Sequence, residues 1–378
     1  MQKQEIIFVG MNDAVDGQQT PLGSLCQKAD RVFILTDENT RRLCLPILYR
    51  NYARELQQAE VITIAAGDSH KTLESVSHVW SELQRLGATR HSLLINLGGG
   101  MITDLGGFAA STFKRGMPFV NIPTTLLAMV DASVGGKTGI NFGGLKNEVG
   151  VFRNADTVII DTRFLQTLDR ENLLSGYAEM LKHALLDGSD MLARHLRFDV
   201  EDPDLAQLQQ MVADSLQVKQ RIVLDDPTEQ GIRKALNLGH TVGHAFEALT
   251  LLPSPFALHP SPESPSPFTP HPSPESPLLH GYAVAWGLVS ELYLSVVKTG
   301  FPIERMRQVV TFILEHYGRM PITCDDYPTL LELMRHDKKN VSGRINFTLL
   351  ADVGDIRINQ HCTQHEIEEA LDFYREGY

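Results

Sequence analysis

Up to about residue 165, six short apolar runs alternate with stretches of helical period: Ile6–Val9, Val32–Thr36, Val61–Ala65, Leu93–Leu97, Phe119–Ile122 and Val158–Asp161. Runs this short and this rich in Val, Ile, Leu and Phe suit strands buried on both faces. Between the third and fourth runs, Leu73, Val76, Val79, Leu83 and Leu86 recur at steps of three and four. That spacing gives one apolar helix face, closed by Gly87. Strand, helix and strand in this order predict an α/β domain with a mostly parallel sheet over residues 1–168. From about residue 170 the period turns helical, and 170–187, 205–224, 229–250, 280–299, 303–316 and 328–336 all predict helices. Arg344–Leu350 with Ile356–Asn359 is the exception, a candidate strand pair. Residues 169–378 are therefore expected to form a mainly α-helical domain.

Composition narrows the function classes. The chain of 378 residues carries 34 basic and 46 acidic side chains, a net charge of −12. An acidic balance argues against general binding to nucleic acid or to an anionic membrane, while leaving room for a local basic pocket. Cys26, Cys44, Cys324 and Cys362 lie far apart and form no CxxC pair, so they read as reduced thiols and not as a disulfide framework or zinc ribbon. The N-terminal residues lack the apolar core and cleavage site of a signal peptide. No run approaches the 18 apolar residues of a membrane helix. A soluble, cytoplasmic protein is the expectation. Residues 253–277 stand apart, because ten of these 25 positions are proline and the heptapeptide His-Pro-Ser-Pro-Glu-Ser-Pro occurs at 259–265 and again at 271–277. Such a stretch reads as an extended, mobile insertion made by tandem duplication, with docking to a proline-recognition module as its functional alternative.

Two places carry chemistry. Leu93–Leu97 runs into Gly98-Gly99-Gly100, and a helix resumes over Ile102–Phe113. A strand that turns through glycines into a helix exposes backbone N–H groups to an anion. Asp104 is expected in the first helical turn, as a dipole partner or an organiser of the loop. Asp37, just after the second run, stands where a carboxylate takes ribose hydroxyls or simply closes a turn. The stretch Pro123–Asn141 then supplies hydroxyls, a carboxylate and a lysine on flexible backbone. Its Gly-Gly-Lys-Thr is no P-loop, since Asp131 stands where the first glycine of that motif belongs. In the second half His240 and His244 share one helix face at i, i+4, and His280 follows the proline-rich stretch. Glu179 sits in an otherwise largely apolar helical stretch, where a carboxylate needs a cation or a hydrogen-bond partner. Two histidines and one glutamate with an open fourth position make the catalytic zinc pattern, although spacing does not choose which two histidines bind.

These residues resemble the 3-dehydroquinate synthases of the shikimate pathway, within the sugar phosphate cyclases, over nearly the whole chain. Pro123–Asn147, Leu236–Glu247 and His280-Gly281 carry the resemblance, which extends to His336–Lys339. It implies an NAD-binding, Rossmann-like domain, a helical domain holding Zn²⁺ or Co²⁺, and an active site in the cleft between them. By position the metal ligands would be Glu179, His240 and His280. NAD would lie on Gly99, Gly100 and Asp104, with Asp37, Asp68 and Lys71 near the adenosine, and Thr124, Thr125, Asp131, Lys137 and Lys146 further along. Arg115, Lys146, Asn147, Lys219, Lys338 and Lys339 would bind substrate, and Lys137, Lys182, Arg233, Asn237 and His244 would serve catalysis. The family usually has Gly-Glu at Gly67-Asp68 and His-Gly-Glu at His280-Gly281-Tyr282, and the proline-rich stretch is an insertion.

The implied reaction converts 3-deoxy-arabino-heptulosonate 7-phosphate to 3-dehydroquinate and phosphate. It runs by transient NAD-dependent oxidation, phosphate elimination, reduction and intramolecular aldol closure, in a cytoplasmic homodimer. Two other readings fit the motifs: a metal-dependent polyol dehydrogenase that releases NADH, and an inactive relative kept as a scaffold. A sister cyclase acting on a sugar phosphate without a carboxylate is the alternative within the same class.

The insertion generates a test. Loop length raises closure cost by only about 0.6 kcal/mol per doubling. His259 and His271 would lose more entropy on binding a metal than a histidine already held by a helix. Replacing residues 253–277 with a short Gly/Ser linker is expected to leave metal content and turnover within roughly a few-fold of the parent. Metal analysis beside a turnover assay checks this, and loss of metal from a folded deletion would give the segment a direct part in the site.

Overall fold

The computed structural model describes residues 4–9, 20–143, 145–252, 278–335 and 345–377. The proline-rich stretch and the expected substrate ligands Lys338 and Lys339 lie outside them. The chain divides into two units, Met1–Leu173 with Asp204–Ala213, and Leu174–Pro203 with Asp214–Tyr378.

In the first unit every one of the six apolar runs is a strand, to within one residue at each end. In chain order the elements are β1 (Glu5–Phe8), α1 (Pro21–Lys28), β2 (Val32–Asp37), α2 (Glu38–Leu43), α3 (Leu45–Tyr52), β3 (Glu60–Ile64), α4 (Leu73–Arg85), β4 (Leu93–Gly98), α5 (Gly100–Thr112), β5 (Phe119–Pro123), β6 (Lys137–Phe142), β7 (Leu145–Phe152) and β8 (Thr157–Ile160). Six strands form one sheet in the order β1-β8-β5-β4-β2-β3, and every pairing is parallel. Its centre is dry, with Phe33, Ile34, Leu35, Leu94, Ile95, Leu97, Phe119 and Val120 all fully buried. The chain leaves β2 for the edge at β3, returns to place β4 on the other side of β2, and then moves away through β5 and β8. The direction of crossover therefore reverses between β2 and β4, and the crevice at the carboxyl ends of those strands is where open α/β sheets take their ligands. Strands β6 and β7 form a separate antiparallel hairpin.

The second unit is helical, as expected. Its helices are α6 (Arg170–Asp187), α7 (Ser189–Arg197), α8 (Leu205–Asp225), α9 (His240–Leu249), α10 (His280–Thr299), α11 (Ile303–Tyr317), α12 (Tyr327–Arg335) and α13 (Gln364–Glu376), with the first residues of α6 and the first half of α8 belonging to the first unit. The strand pair is present as β9 (Asn346–Asp352) and β10 (Asp355–His361), antiparallel.

Three expectations are corrected. The helix read over 229–250 is broken: Ile232–Asn237 is a 3₁₀ segment, and α9 starts only after Gly239, whose φ of +79° is the left-handed region. Asp104 is not in the first turn of its helix, because α5 begins at Gly100 and not at Ile102. Leu73, counted on the apolar face of α4, is 42% exposed, since the buried stripe is Val76, Val79 and Leu83. α7 and α13 have no counterpart in the periodicity analysis.

Helices α9 and α10 approach so closely that side chains are excluded between them. A Cβ on Gly287 would lie 2.0 Å from the Gly239 carbonyl oxygen and 2.7 Å from the Gly243 nitrogen. Both are backbone atoms and cannot swing aside. Overpacking a core commonly costs about 1–3 kcal/mol, and Gly287→Ala is expected to fall at or beyond the upper end of that range in urea unfolding. A change under about half a kcal/mol would mean that the two helices separate freely.

Candidate functional site

The crevice of the first unit is built from the ends of β2 and β4. Gly99 is the N-cap of α5 and offers no side chain to its first N–H groups, which stay available to an anion. Asp37 ends β2 and caps α2, its Oδ1 accepting from the Thr40 N–H at 2.8 Å. That is the bland role foreseen for it, and it occupies one carboxylate oxygen. Thr124 is buried with its N–H on the Gly98 carbonyl at 3.0 Å, and Thr125 Oγ1 accepts from Ala128 N–H at 3.2 Å. Lys71 is the hub of the adjoining polar cluster. Only 3% exposed, it donates from Nζ to Asp104 Oδ2 and to Asn147 Oδ1, both at 2.5 Å. Asn147, at φ +52°, takes the Asn141 side chain on its own N–H at 2.9 Å. Asn141 Nδ2 in turn donates to Asp68 Oδ2 at 3.2 Å, and Lys146 Nζ lies 3.7 Å from the same oxygen. Asp68, Lys71, Asp104, Lys146 and Asn147 are thus brought together. Asp131 lies half-buried in a π-helical turn after β5, while Lys137 and Arg115 are exposed, Arg115 at φ +65°.

In the second unit three helices converge on one point. Glu179, mid-way along α6, is fully buried. His240 is the first residue of α9 and His280 the first of α10. Glu179 Oε1 lies 3.3 Å from His240 Nε2 and 3.5 Å from His280 Nε2. These separations are long for hydrogen bonds. They match the spacing of about 3.4 Å between two ligands that each stand about 2.1 Å from a tetrahedral ion. His240, His244 and His280 also place ligand atoms within 4.8 Å of one another. The far nitrogens decide how the rings face, since His240 Nδ1 meets the Leu238 carbonyl at 3.1 Å and His280 Nδ1 meets Glu247 Oε2 at 3.5 Å. With Nδ1 so engaged, Nε2 is the ring nitrogen that faces inward on each histidine. Neither buried oxygen of Glu179 has a hydrogen-bond partner, although Oε2 is ion-paired with the buried Lys182 ammonium. A divalent cation fits this donor set, and the His244 ring lies 5.3 Å from that of His240.

Electrostatics agree with the geometry. Burial opposes the Glu179 charge, but Lys182 and the His240 and His280 imidazoles hold the carboxyl well below its usual range. Burial likewise lowers His280, and the facing carboxylates of Glu179 and Glu247 outweigh it, pushing the imidazole up to about 10 in the metal-free site. Among the other expected residues Lys182, Lys219 and Arg233 are buried and Asn237 is half-buried. Arg233 donates from Nη1 to the Pro227 carbonyl at 2.8 Å, and Asn237 Nδ2 donates to Glu229 at 3.3 Å. Tyr282 turns away from the ligands into an aromatic cluster, its ring centroid 5.1 Å from that of Tyr317.

Two residues escaped the sequence reading. Glu247 lies seven residues, two helical turns, beyond His240, a spacing that could have marked it. Glu291 is a fully buried carboxylate inside the apolar stretch of α10, the same signal that marked Glu179. Its oxygens accept the N–H groups of Gly239, Thr241 and Val242 at 2.7, 2.9 and 3.1 Å.

Comparison with known proteins gives a consistent set of relatives. The family model described as 3-dehydroquinate synthase N-terminal matches residues 61–175, and the C-terminal one matches 176–254 and 273–340. The gap between the last two ranges falls inside the proline-rich stretch. A 3-dehydroquinate synthase of Parabacteroides distasonis is 50% identical over 378 residues, covering 100% of this chain and 99% of the relative. Among solved structures, a 2-deoxy-scyllo-inosose synthase complexed with carbaglucose-6-phosphate, NAD⁺ and Co²⁺ superposes with a TM-score of 0.77 at 20% identity, over 99% of this chain and 96% of the other. A 2-epi-5-epi-valiolone synthase from Streptomyces hygroscopicus with NAD⁺ and Zn²⁺ bound gives 0.77 at 24% identity, over 99% and 97%. These two share the fold.

The raised His280 yields a prediction with a definite sign. Below about 10 the metal-free imidazole keeps its proton, and binding an ion at Nε2 expels it. Zinc titration near neutral pH is therefore expected to release about one proton from this imidazole, and zinc affinity to rise about ten-fold per pH unit between 7 and 9. Calorimetry in buffers of different ionisation enthalpy reads the proton count directly. Release of none would show that the two carboxylates do not hold His280 protonated.

Proposed function

The chain belongs to the 3-dehydroquinate synthase family, and from that premise we propose which of its residues carry the reaction. The reaction converts 3-deoxy-arabino-heptulosonate 7-phosphate to 3-dehydroquinate and phosphate, with NAD and a divalent metal, zinc or cobalt, as cofactors. It is a carbon–oxygen lyase reaction in which transient oxidation, phosphate elimination, reduction and aldol closure leave no net redox change. The observation that supports the residue assignment best is the convergence of Glu179 Oε1, His240 Nε2 and His280 Nε2 at ligand-like separations.

When bound, the dinucleotide takes and returns a hydride while the metal stabilises negative charge on a substrate oxygen. The first unit would bind NAD through the open N-terminus of α5 at Gly99 and Gly100, with Asp37 on the ribose and Thr124, Thr125 and Asp131 further along. The Lys71–Asp104–Asn147 bridge fixes the walls of that crevice. Lys137, Lys146, Asn147 and Arg115 would gather round the phosphate, and the positive charge of the two lysines and the arginine lowers the cost of holding a dianion. In the second unit, Glu179, His240 and His280 would hold the metal, and Lys182 sets the Glu179 oxygen that it pairs. Lys219 and Arg233 would take the substrate carboxylate, with Asn237 beside them, and His244 would move a proton at the open side of the triad. Lys338 and Lys339 complete the proposed substrate ligands. No helix among the described residues is long and apolar enough to cross a membrane. A cytoplasmic homodimer is part of the proposal, and the exposed Phe142, Leu145 and Phe152 of the β6–β7 hairpin supply apolar surface of the kind an interface covers.

One assay tests the reading. Phosphate release from the heptulosonate phosphate is expected with only catalytic NAD⁺, without accumulation of NADH, and is lost on chelation of the metal. Stoichiometric NADH would point instead to a polyol dehydrogenase. Since a hydrogen bond to a charged group is worth about 1.5–3 kcal/mol, Arg233→Ala should lower kcat/KM roughly ten- to a hundred-fold. The loss should shrink for an analogue lacking the carboxylate, and an equal loss with both substrates would remove Arg233 from carboxylate recognition.

A further inference from the structure

Both histidine ligands stand at an awkward place for a cation. His240 opens α9 and His280 opens α10, so an ion between them faces the positive ends of two helices. The start of α9 is the more exposed to this difficulty, because its N-cap is Gly239, held at φ +79° and without a side chain to cap anything. The cap comes from another helix. Glu291, fully buried and eleven residues beyond His280 on α10, accepts the N–H groups of Gly239, Thr241 and Val242 at 2.7, 2.9 and 3.1 Å. These donors bracket His240 in sequence.

We propose that Glu291 is a positioning residue of the metal centre: it locks the backbone that presents His240 and places a negative charge against the helix end that opposes the ion. The inference rests on the metal assignment made above. One feature carries it beyond ordinary helix capping: the carboxylate and His280 belong to the same helix, so one element presents one ligand and fixes the turn that presents another. A carboxylate that only braced α9 would stabilise the fold and leave metal affinity alone. A positioning carboxylate changes the affinity itself, as partners of metal ligands do.

The experiment separates these outcomes. Wild-type protein and Glu291→Gln are stripped of metal, and zinc affinity is measured by competition with a chromophoric chelator, alongside unfolding of the metal-free forms and NAD⁺ binding. The amide keeps the shape but turns a donor toward donors and removes the charge. The expected result is a zinc dissociation constant raised roughly ten- to a hundred-fold, with NAD⁺ affinity within about two-fold of wild type. The Co²⁺-loaded variant should also show a shifted visible absorption band, reporting altered geometry at the ion. Zinc affinity within about two-fold of wild type, whatever the loss of stability, overturns the proposal. If Glu291→Gln does not fold, hydrogen exchange on wild-type protein decides instead. Zinc is then expected to slow exchange of the Gly239, Thr241 and Val242 amides by roughly ten-fold, since linkage between cap and ligand is reciprocal. Unchanged exchange there rejects the coupling. A wild-type chain that binds no zinc refutes the metal assignment itself, a separate failure recognised before any variant is compared.

Discussion

The close approach of helix backbones at Gly281 and Gly287 governs how α6, α9 and α10 pack in the second unit. A Cβ on Gly281 would fall 1.9 Å from the Ser175 carbonyl oxygen of α6, and one on Gly287 would strike the backbone of α9. Hydrogen thus replaces side chain where α10 meets α6 and α9, and the Gly281 N–H donates to Ser175 Oγ at 3.1 Å. The closeness sets Glu179, His240 and His280 at mutual reach without long, adaptable side chains. It also excludes water from the carboxylate, so every neighbouring charge acts on Glu179 in a medium of low dielectric.

The first unit is organised differently, around a helix start whose N-cap offers no side chain. A parallel sheet whose crossovers reverse between β2 and β4 opens a crevice at that point, and the glycine turn after β4 leaves helix donors facing it. The surrounding polar groups are used to stiffen the walls. Lys71 commits its ammonium to Asp104 and Asn147, and Asp37 commits one oxygen to the cap of α2. Binding groups that are already anchored lose little freedom when a ligand arrives. In the proposed assignment the dinucleotide contacts fall to one unit and the metal ligands to the other.

How much of this was legible follows from the range of the interactions. The strands of the central sheet announce themselves because a buried parallel strand is apolar along its whole length, and the histidine pair of α9 because i, i+4 is a local spacing. Glu179 is visible as a lone carboxylate in an apolar helix. Glu291 gives the same signal, yet its partners are backbone N–H groups some fifty residues away in sequence. Nothing in the residue types of Gly239–Val242 reveals that they need an acceptor. The break before α9 escapes notice for a related reason, since a left-handed glycine inside a helical period looks like a tolerated one until the chain is seen to turn. Asp104 is displaced by one turn because the glycines count as loop in the sequence, whereas Gly100 is already helical.

The position of the two histidines has a kinetic side. Each is the first residue of its helix, while Glu179 lies in the interior of α6. Helix ends fray at far lower free energy than helix centres, and opening one terminal turn does not require the surrounding core to come apart. Loading and loss of the proposed ion would thereby need less than global unfolding. The Glu179 carboxylate would stay as a fixed half-site while a turn bearing an imidazole opened, and at His240 that opening would work against the hold of Glu291 on the Gly239, Thr241 and Val242 N–H groups.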